Sequence, residues 1–161
     1  MKVRPPEQSD IGALTLIWYD GWQDAHARIV PAELARLRTR ESFKERLEAR
    51  LADVRVVGPV GAPFGFCMLK GDELYQLYVS PEARGTGVAK VLAAEAEGRL
   101  SKNGVKTAWL ACAIGNDRAA RFYEKSGWRR AGAVVIEVET SEGPFPLEVW
   151  RYEKRLASLD R

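Results

Sequence analysis

Three small groups of residues in this chain have the types and spacing to do chemistry. The first is the turn Ser80-Pro81-Glu82-Ala83-Arg84-Gly85-Thr86-Gly87-Val88-Ala89-Lys90, which follows the apolar run Leu74 to Val79 and opens onto helix formers. A turn from strand to helix leaves several backbone N–H groups unpaired at the positive end of the helix dipole, and such an end binds anions, phosphates above all. Gly85 and Gly87 clear Cβ atoms from a ligand's path, Ala89 keeps the first helical turn slim, and Arg84 and Lys90 add positive charge. The same glycines also suit tight strand–helix packing with no ligand at all. The second group is Asn116 and Tyr123, seven positions apart and so on one helix face two turns apart. Tyr123 offers a phenolic proton donor, or is a core aromatic. The third is Glu73, a carboxylate beside the turn Lys70-Gly71-Asp72 that can cap that turn as a solvated charge, with Gln76 on the same strand.

The elements that must hold these groups follow from periodicity. Leu14, Trp18, Trp22, Ala25 and Ile29 repeat at roughly 100° per residue, which predicts a helix from about Asp10 to Ile29 with His26 at the rim of its apolar stripe. A second helical region runs in pieces from Pro31 to about Leu51. Its arginines and glutamates between Arg28 and Arg50 read as a solvated, charge-laced face. Val54–Gly58, Phe64–Leu69 and Glu73–Val79 read as an antiparallel meander joined by Gly/Pro turns. After the glycine turn, Val88, Val91, Leu92 and Ala96 stripe a helix ending near Asn103-Gly104. Lys106–Ala113 is an apolar strand, Asp117–Lys125 a short helix stopped at Ser126-Gly127, and Ala131–Glu139 and Phe145–Lys154 a closing hairpin. Because a helix separates the strand ending at Val79 from the one ending at Ala113, those two should run parallel. The expectation is one α/β domain over residues 1–161: a mixed, mostly antiparallel sheet with one central parallel pair, flanked by about four helices.

The turn lacks the G-x-x-x-x-G-K-[ST] of nucleotide-triphosphate loops. It also lacks the third glycine and the parallel setting of the dinucleotide fingerprint. Its form is [Q/R]-x-x-G-x-[G/A], filled by Arg84, Gly87 and Ala89, and the later stretch "NDRAARFYEKSGW" fits N-x-x-A-x-x-x-Y-x-x-x-G-[FW] at Asn116, Ala119, Tyr123, Gly127 and Trp128. With these two motifs at this separation, the chain resembles the GNAT superfamily of acyl-CoA-dependent N-acetyltransferases from about Val54 onward, and more loosely before. The resemblance implies acetyl-CoA as cosubstrate and transfer of its acetyl group to a primary amine by direct attack through a tetrahedral intermediate. It implies backbone contacts to the pantetheine arm from Leu77, Tyr78 and Val79, a pyrophosphate cradle from Arg84, Gly85, Thr86, Gly87, Val88, Ala89 and Lys90, and a pantetheine contact from Asn116. It implies Tyr123 as general acid and Glu73, directly or through water, as general base. The amine acceptor would lie opposite the cofactor, with Trp22, His26, Gln76 and Trp150 as candidate contacts. A cofactor-binding module without turnover is the rival reading, and the intact Asn116/Tyr123 pair argues against it. A nucleotide-binding domain is weaker still.

Composition bounds the rest. The 161 residues are 46% hydrophobic and 29% charged with a net charge of +3, ordinary for one globular domain. A nucleic-acid partner is not expected, since no basic stripe with interleaved aromatics occurs. No apolar run approaches the roughly 18 residues of a membrane span, and the first residues carry no apolar signal segment, so a cytoplasmic location without a membrane partner is the default. One histidine and two cysteines, Cys67 and Cys112, lack metal-ligand spacing, so no metal is expected. A covalent route through either thiol ranks far behind direct attack. Pairing into a homodimer is plausible from the resemblance.

Overall fold

The computed structural model describes residues 1–157. Strand β1 (Val3–Arg4) leads into helices α1 (Ile11–His26), α2 (Ala32–Leu37) and α3 (Arg40–Ala49). The meander β2 (Val54–Val57), β3 (Gly65–Lys70) and β4 (Glu73–Val79) follows, then α4 (Val88–Lys102), β5 (Thr107–Ala113), α5 (Asp117–Lys125), and the hairpin β6 (Arg129–Val138) and β7 (Phe145–Arg155). The seven strands form one sheet in the order β1-β2-β3-β4-β5-β7-β6, with β4 and β5 parallel and every other neighbouring pair antiparallel.

Five helices form where about four were expected, because the region after Pro31 is cut in two. Arg38 leaves helical dihedrals (φ −89°, ψ 66°), and the Thr39 side chain accepts from the Ser42 N–H at 3.1 Å to start α3 afresh. The first helix stops at His26 rather than Ile29, and Ile29 stands 40% exposed. The start of α1 is pinned by Asp10, whose fully buried carboxylate accepts from Arg4 at 2.7 and 3.0 Å and from the backbone of Glu7 and Gly61. The Arg4 guanidinium holds this carboxyl down at about 2.

Period-2 alternation divides the core between the two sheet faces. Val54, Val56, Phe66 and Met68 pack under Trp18, Leu14, Phe43 and Leu47 of α1 and α3, whereas Val57, Cys67 and Leu69 pack under Leu92, Ala96 and Leu100 of α4. Each such large side chain fully buried contributes roughly 1.5–3 kcal/mol. The decisive feature for function is the parallel pair. β4 and β5 are in register only at Glu73 and Trp109, where the Trp109 N–H donates to the Asp72 carbonyl at 3.2 Å and Trp109 Nε1 to its carboxylate at 2.9 Å. Beyond that point the outer edges stay paired, β4 with β3 through Val79 and β5 with β7 through Ala113, while the inner edges part. The sheet is therefore split at its centre, with free strand edges lining the gap.

Candidate active site

The glycine turn takes the form its composition demands. Gly85 and Gly87 have φ of +77° and +91°, conformations that glycine adopts without strain, and Gly87 caps a 15-residue helix without any side-chain partner. Among the described residues the N–H groups of Gly85, Gly87, Val88, Ala89 and Lys90 have no acceptor, whereas the Thr86 N–H bonds to the Ala83 carbonyl, as does the Thr86 hydroxyl. Beside these free amides opens a groove of about 390 Å³, walled by Leu77 to Val79, by Phe122 and Tyr123 of α5, and by Gly21 and Ala25 of α1. Arg84, Lys90 and Arg118 line its polar rim. Arg84 and Arg118 share Asp24, at 3.6 and 3.2 Å.

A second cavity, of about 160 Å³, lies under α1 and the loop after α2, against the closing hairpin. Trp18, Trp22, His26, Arg38, Arg46, Glu73, Gln76, Leu147 and Val149 are among its walls. Leu77, Tyr78, Asn116, Ala119 and Tyr123 line both spaces, so the two meet at the split in the sheet. Gly21 is what lets α1 approach this junction: a Cβ there would stand 2.6 Å from the Tyr78 ring. Gly21→Ala is expected to push that ring aside at an overpacking cost of about 1–3 kcal/mol. A thermal melt together with a titration of the groove ligand reads the shift.

His26 ties the junction together. Asn116 caps α5, its Oδ1 accepting from the Ala119 N–H at 3.3 Å, which turns its Nδ2 toward His26 Nε2 at 3.2 Å. Nε2 is then the acceptor, so the neutral ring carries its proton on Nδ1, which faces Tyr78 Oη at 3.5 Å. Burial, reinforced by the Arg38 charge, lowers His26 to about 4, so the imidazole is neutral at physiological pH. Glu73 moves the other way. Only 7% exposed, its carboxyl is raised to about 7, chiefly by burial, against the opposing pull of Lys70. The Tyr123 hydroxyl has no protein partner among the described residues, and burial pushes its pKa upward, so it stays protonated.

The pattern of the Acetyltransferase (GNAT) family matches residues 16–128, most of the helices and strands that build this site. The chain belongs to that family. It is 32% identical over 88 residues to the peptidyl-lysine N-acetyltransferase YjaB of Escherichia coli K12, a match covering 53% of each chain, so it spans about half the length of that curated relative. In fold it is similar to the PaiA N-acetyltransferase of Thermoplasma acidophilum solved with coenzyme A, at a TM-score of 0.71 and 23% identity over 96% of this chain and 98% of that one. It is likewise similar to YncA of Salmonella typhimurium, described as a putative acetyltransferase solved with acetyl-CoA, at a TM-score of 0.68 and 16% identity over 100% and 96%.

Within this GNAT fold most of the residues singled out by sequence come together, and two, Thr86 and Trp150, need correction. Leu77, Tyr78, Val79, Arg84, Gly85, Gly87, Ala89, Lys90 and Asn116 line the groove, and Trp22, His26, Gln76 and Glu73 line the cavity. Val88 buries its side chain under the sheet at 2% exposure and keeps its N–H without an acceptor, whereas Thr86 spends both polar groups on Ala83. Trp150 lies outside the cavity. Strand alternation aims its neighbours Leu147 and Val149 inward, and Arg130 covers its ring at 4.2 Å. Asn116 stands at the cap of α5 rather than within the helix, and together with Tyr123 it lines both spaces. The charge-laced face also needs revision, since Arg38 is 4% exposed and lines the cavity. Burial raises the Cys112 thiol to about 11, and its sulfur faces backbone carbonyls with no base to activate it. Gly21, Arg118 and Phe122 also line the groove without a signal in the motifs, and Ala25 does so from what reads in sequence as core stripe. The small pair Gly21/Ala25, spaced i, i+4 beside Trp18 and Trp22, was the one local signal for a helix closely approached.

Proposed function

We propose that the chain, as one domain over residues 1–161, transfers the acetyl group of acetyl-CoA to a primary amine. The observation that carries this reading is the meeting of two cavities at the split between β4 and β5, one edged by free amides and the other by the buried Glu73 carboxyl. The groove suits the cosubstrate: the N–H groups of Gly85 and of Gly87 to Lys90 would hold the pyrophosphate, with Arg84, Lys90 and Arg118 around it. The free edge of β4 from Leu77 to Val79 would pair with the pantetheine amides, and Phe122 would cover the arm. Bound there, acetyl-CoA supplies an activated thioester.

The remaining work belongs to the chain's own groups. An alkyl ammonium near pKa ~10.4 must lose a proton before it attacks. Glu73 at about 7 is ionised over much of the working range and is matched to general-base duty, directly or through water, whereas His26 at about 4 is too weak a base to compete. Arg38 and Arg46 in the same cavity disfavour a further positive charge and so lower the amine's pKa. Tyr123, protonated and facing the junction, donates its hydroxyl proton to the leaving sulfur. His26 and Asn116 hold the mouth between the two spaces. The cytoplasmic location and a homodimer stay with this reading as expectations, and among the described residues no helix is long and apolar enough to cross a membrane.

Calorimetric titration of acetyl-CoA into the wild type and Gly87→Trp is the test, with ATP and NAD as controls. Binding is expected for acetyl-CoA alone, weakened at least about tenfold by a bulky side chain in the left-handed turn. Absence of binding to folded wild-type protein would sink the proposal. Binding without thiol release from any amine would favour the non-catalytic module.

A further inference from the structure

The second cavity contains a feature that amine chemistry alone does not require: two guanidinium groups without carboxylate partners. Arg38 is 4% exposed. Its Nη1 donates to the Glu139 backbone carbonyl at 2.5 Å, while Nε has no acceptor and no ion pair reaches it among the described residues. Arg46 lies 4.5 Å over the Trp18 ring and donates from Nη2 to the Tyr75 hydroxyl at 3.0 Å, and its Nε is also buried without a partner. The nearby Glu139 carboxylate is turned elsewhere, to Lys70 at 3.1 Å and Arg50 at 3.4 Å. A buried, unpaired charge is costly to keep, and so is a buried donor left without an acceptor. The strain registers on Arg38 itself, lowered to about 10 by burial and then by Arg46.

We propose that these two arginines recognise a carboxylate on the acceptor, so that the amine acetylated is a small amino acid with an apolar side chain. The inference rests on the acetyltransferase reading above for its amine and on the cavity alone for its anion. Planar guanidinium donors match a carboxylate in geometry, and Arg46 sits over the Trp18 ring. Glu73 lines the same cavity, so one space presents a proton acceptor and an anion clamp. Leu34, Ile136, Val138 and Leu147 add apolar wall, and a volume of about 160 Å³ suits a free amino acid better than a protein chain.

Trp18 and Trp22 line the cavity, so their fluorescence reports binding without any need for turnover. The probes are leucine, methionine and phenylalanine, each compared with its amide and with the amine lacking the carboxyl group. The amino acids are expected to bind at least about tenfold more tightly than the matched amides and amines, the scale of a charge-assisted pair. Arg38→Gln should erase that preference and Arg38→Lys keep part of it. The acid–amide comparison on wild-type protein stands even where Arg38→Gln fails to fold. Equal binding of acid and amide, or no binding by any of the three amino acids, overturns the proposal. Thiol release from acetyl-CoA, measured on the same samples, reads the acetyltransferase assignment separately. Carboxylate-dependent binding without turnover keeps the clamp and removes the enzyme. Turnover of peptides or plain amines without carboxylate dependence does the reverse.

Discussion

Tyr123→Phe is expected to lower kcat by about 10²–10⁴-fold, the range for loss of a positioned acid, while acetyl-CoA affinity stays within a few-fold. The argument is one of subtraction. The hydroxyl has no protein partner among the described residues, so its removal leaves no orphaned group. The ring keeps its packing against Phe122, Trp128 and Tyr152 at centroid distances of 5.4, 6.2 and 6.4 Å. Stability should therefore change by less than about 1 kcal/mol. Steady-state thiol release gives kcat and KM, and a melt checks the fold. A variant with wild-type kcat would remove Tyr123 from the chemistry and leave it as a wall of the junction.

Glu73→Gln should produce the second large effect, and its pH dependence separates a base from a structural charge. If Glu73 accepts the amine proton, kcat/KM of the wild type falls as pH drops through about 7, and the variant loses about 10²-fold or more above that pH together with the acidic limb. Stability moves in the opposite sense. The folded carboxyl titrates at about 7, above its ordinary 4.5, so between those values the folded state holds the extra proton and stability declines as pH rises. At 1.36 kcal/mol per pKa unit the cost at pH 8 is about 3 kcal/mol. Glu73→Gln should then melt several degrees above wild type at pH 8 and show no gain at pH 4. Lower activity with higher stability is the signature of a charge buried for function. An unchanged pH–rate profile would return Glu73 to the role of a turn cap.

The contrast between these two residues shows where sequence stops. Tyr123 was legible because the helix around it is local: the spacing from Asn116 to Trp128 is set within one short helix and its glycine stop, and the structure places α5 at Asp117–Lys125 as expected. Glu73 was legible as a position, at the first residue of a strand, but not as an environment. A solvated charge and a buried base look alike in sequence, and only the packing of β5 and the hairpin against that strand end decides between them.

The sequence by itself determined most of the elements and the left-handed glycine turn with its unpaired amides, because each depends on backbone preferences and hydrophobic period within a few residues, and the parallel pair followed from the crossover helix between its strands. Only the tertiary structure decided what meets at the centre. His26 and Asn116 lie 90 positions apart, and their contact depends on how α1 crosses the split sheet. Arg38 reads as one more charge on a polar face, yet a break between two helices turns it inward to the hairpin carbonyl of Glu139, 101 positions away. Trp150 shows the converse, a conspicuous aromatic sent to the other face by strand alternation. Burial is a property of what a chain brings back against itself, and no local pattern of polar and apolar residues encodes which buried charge will be left without a partner.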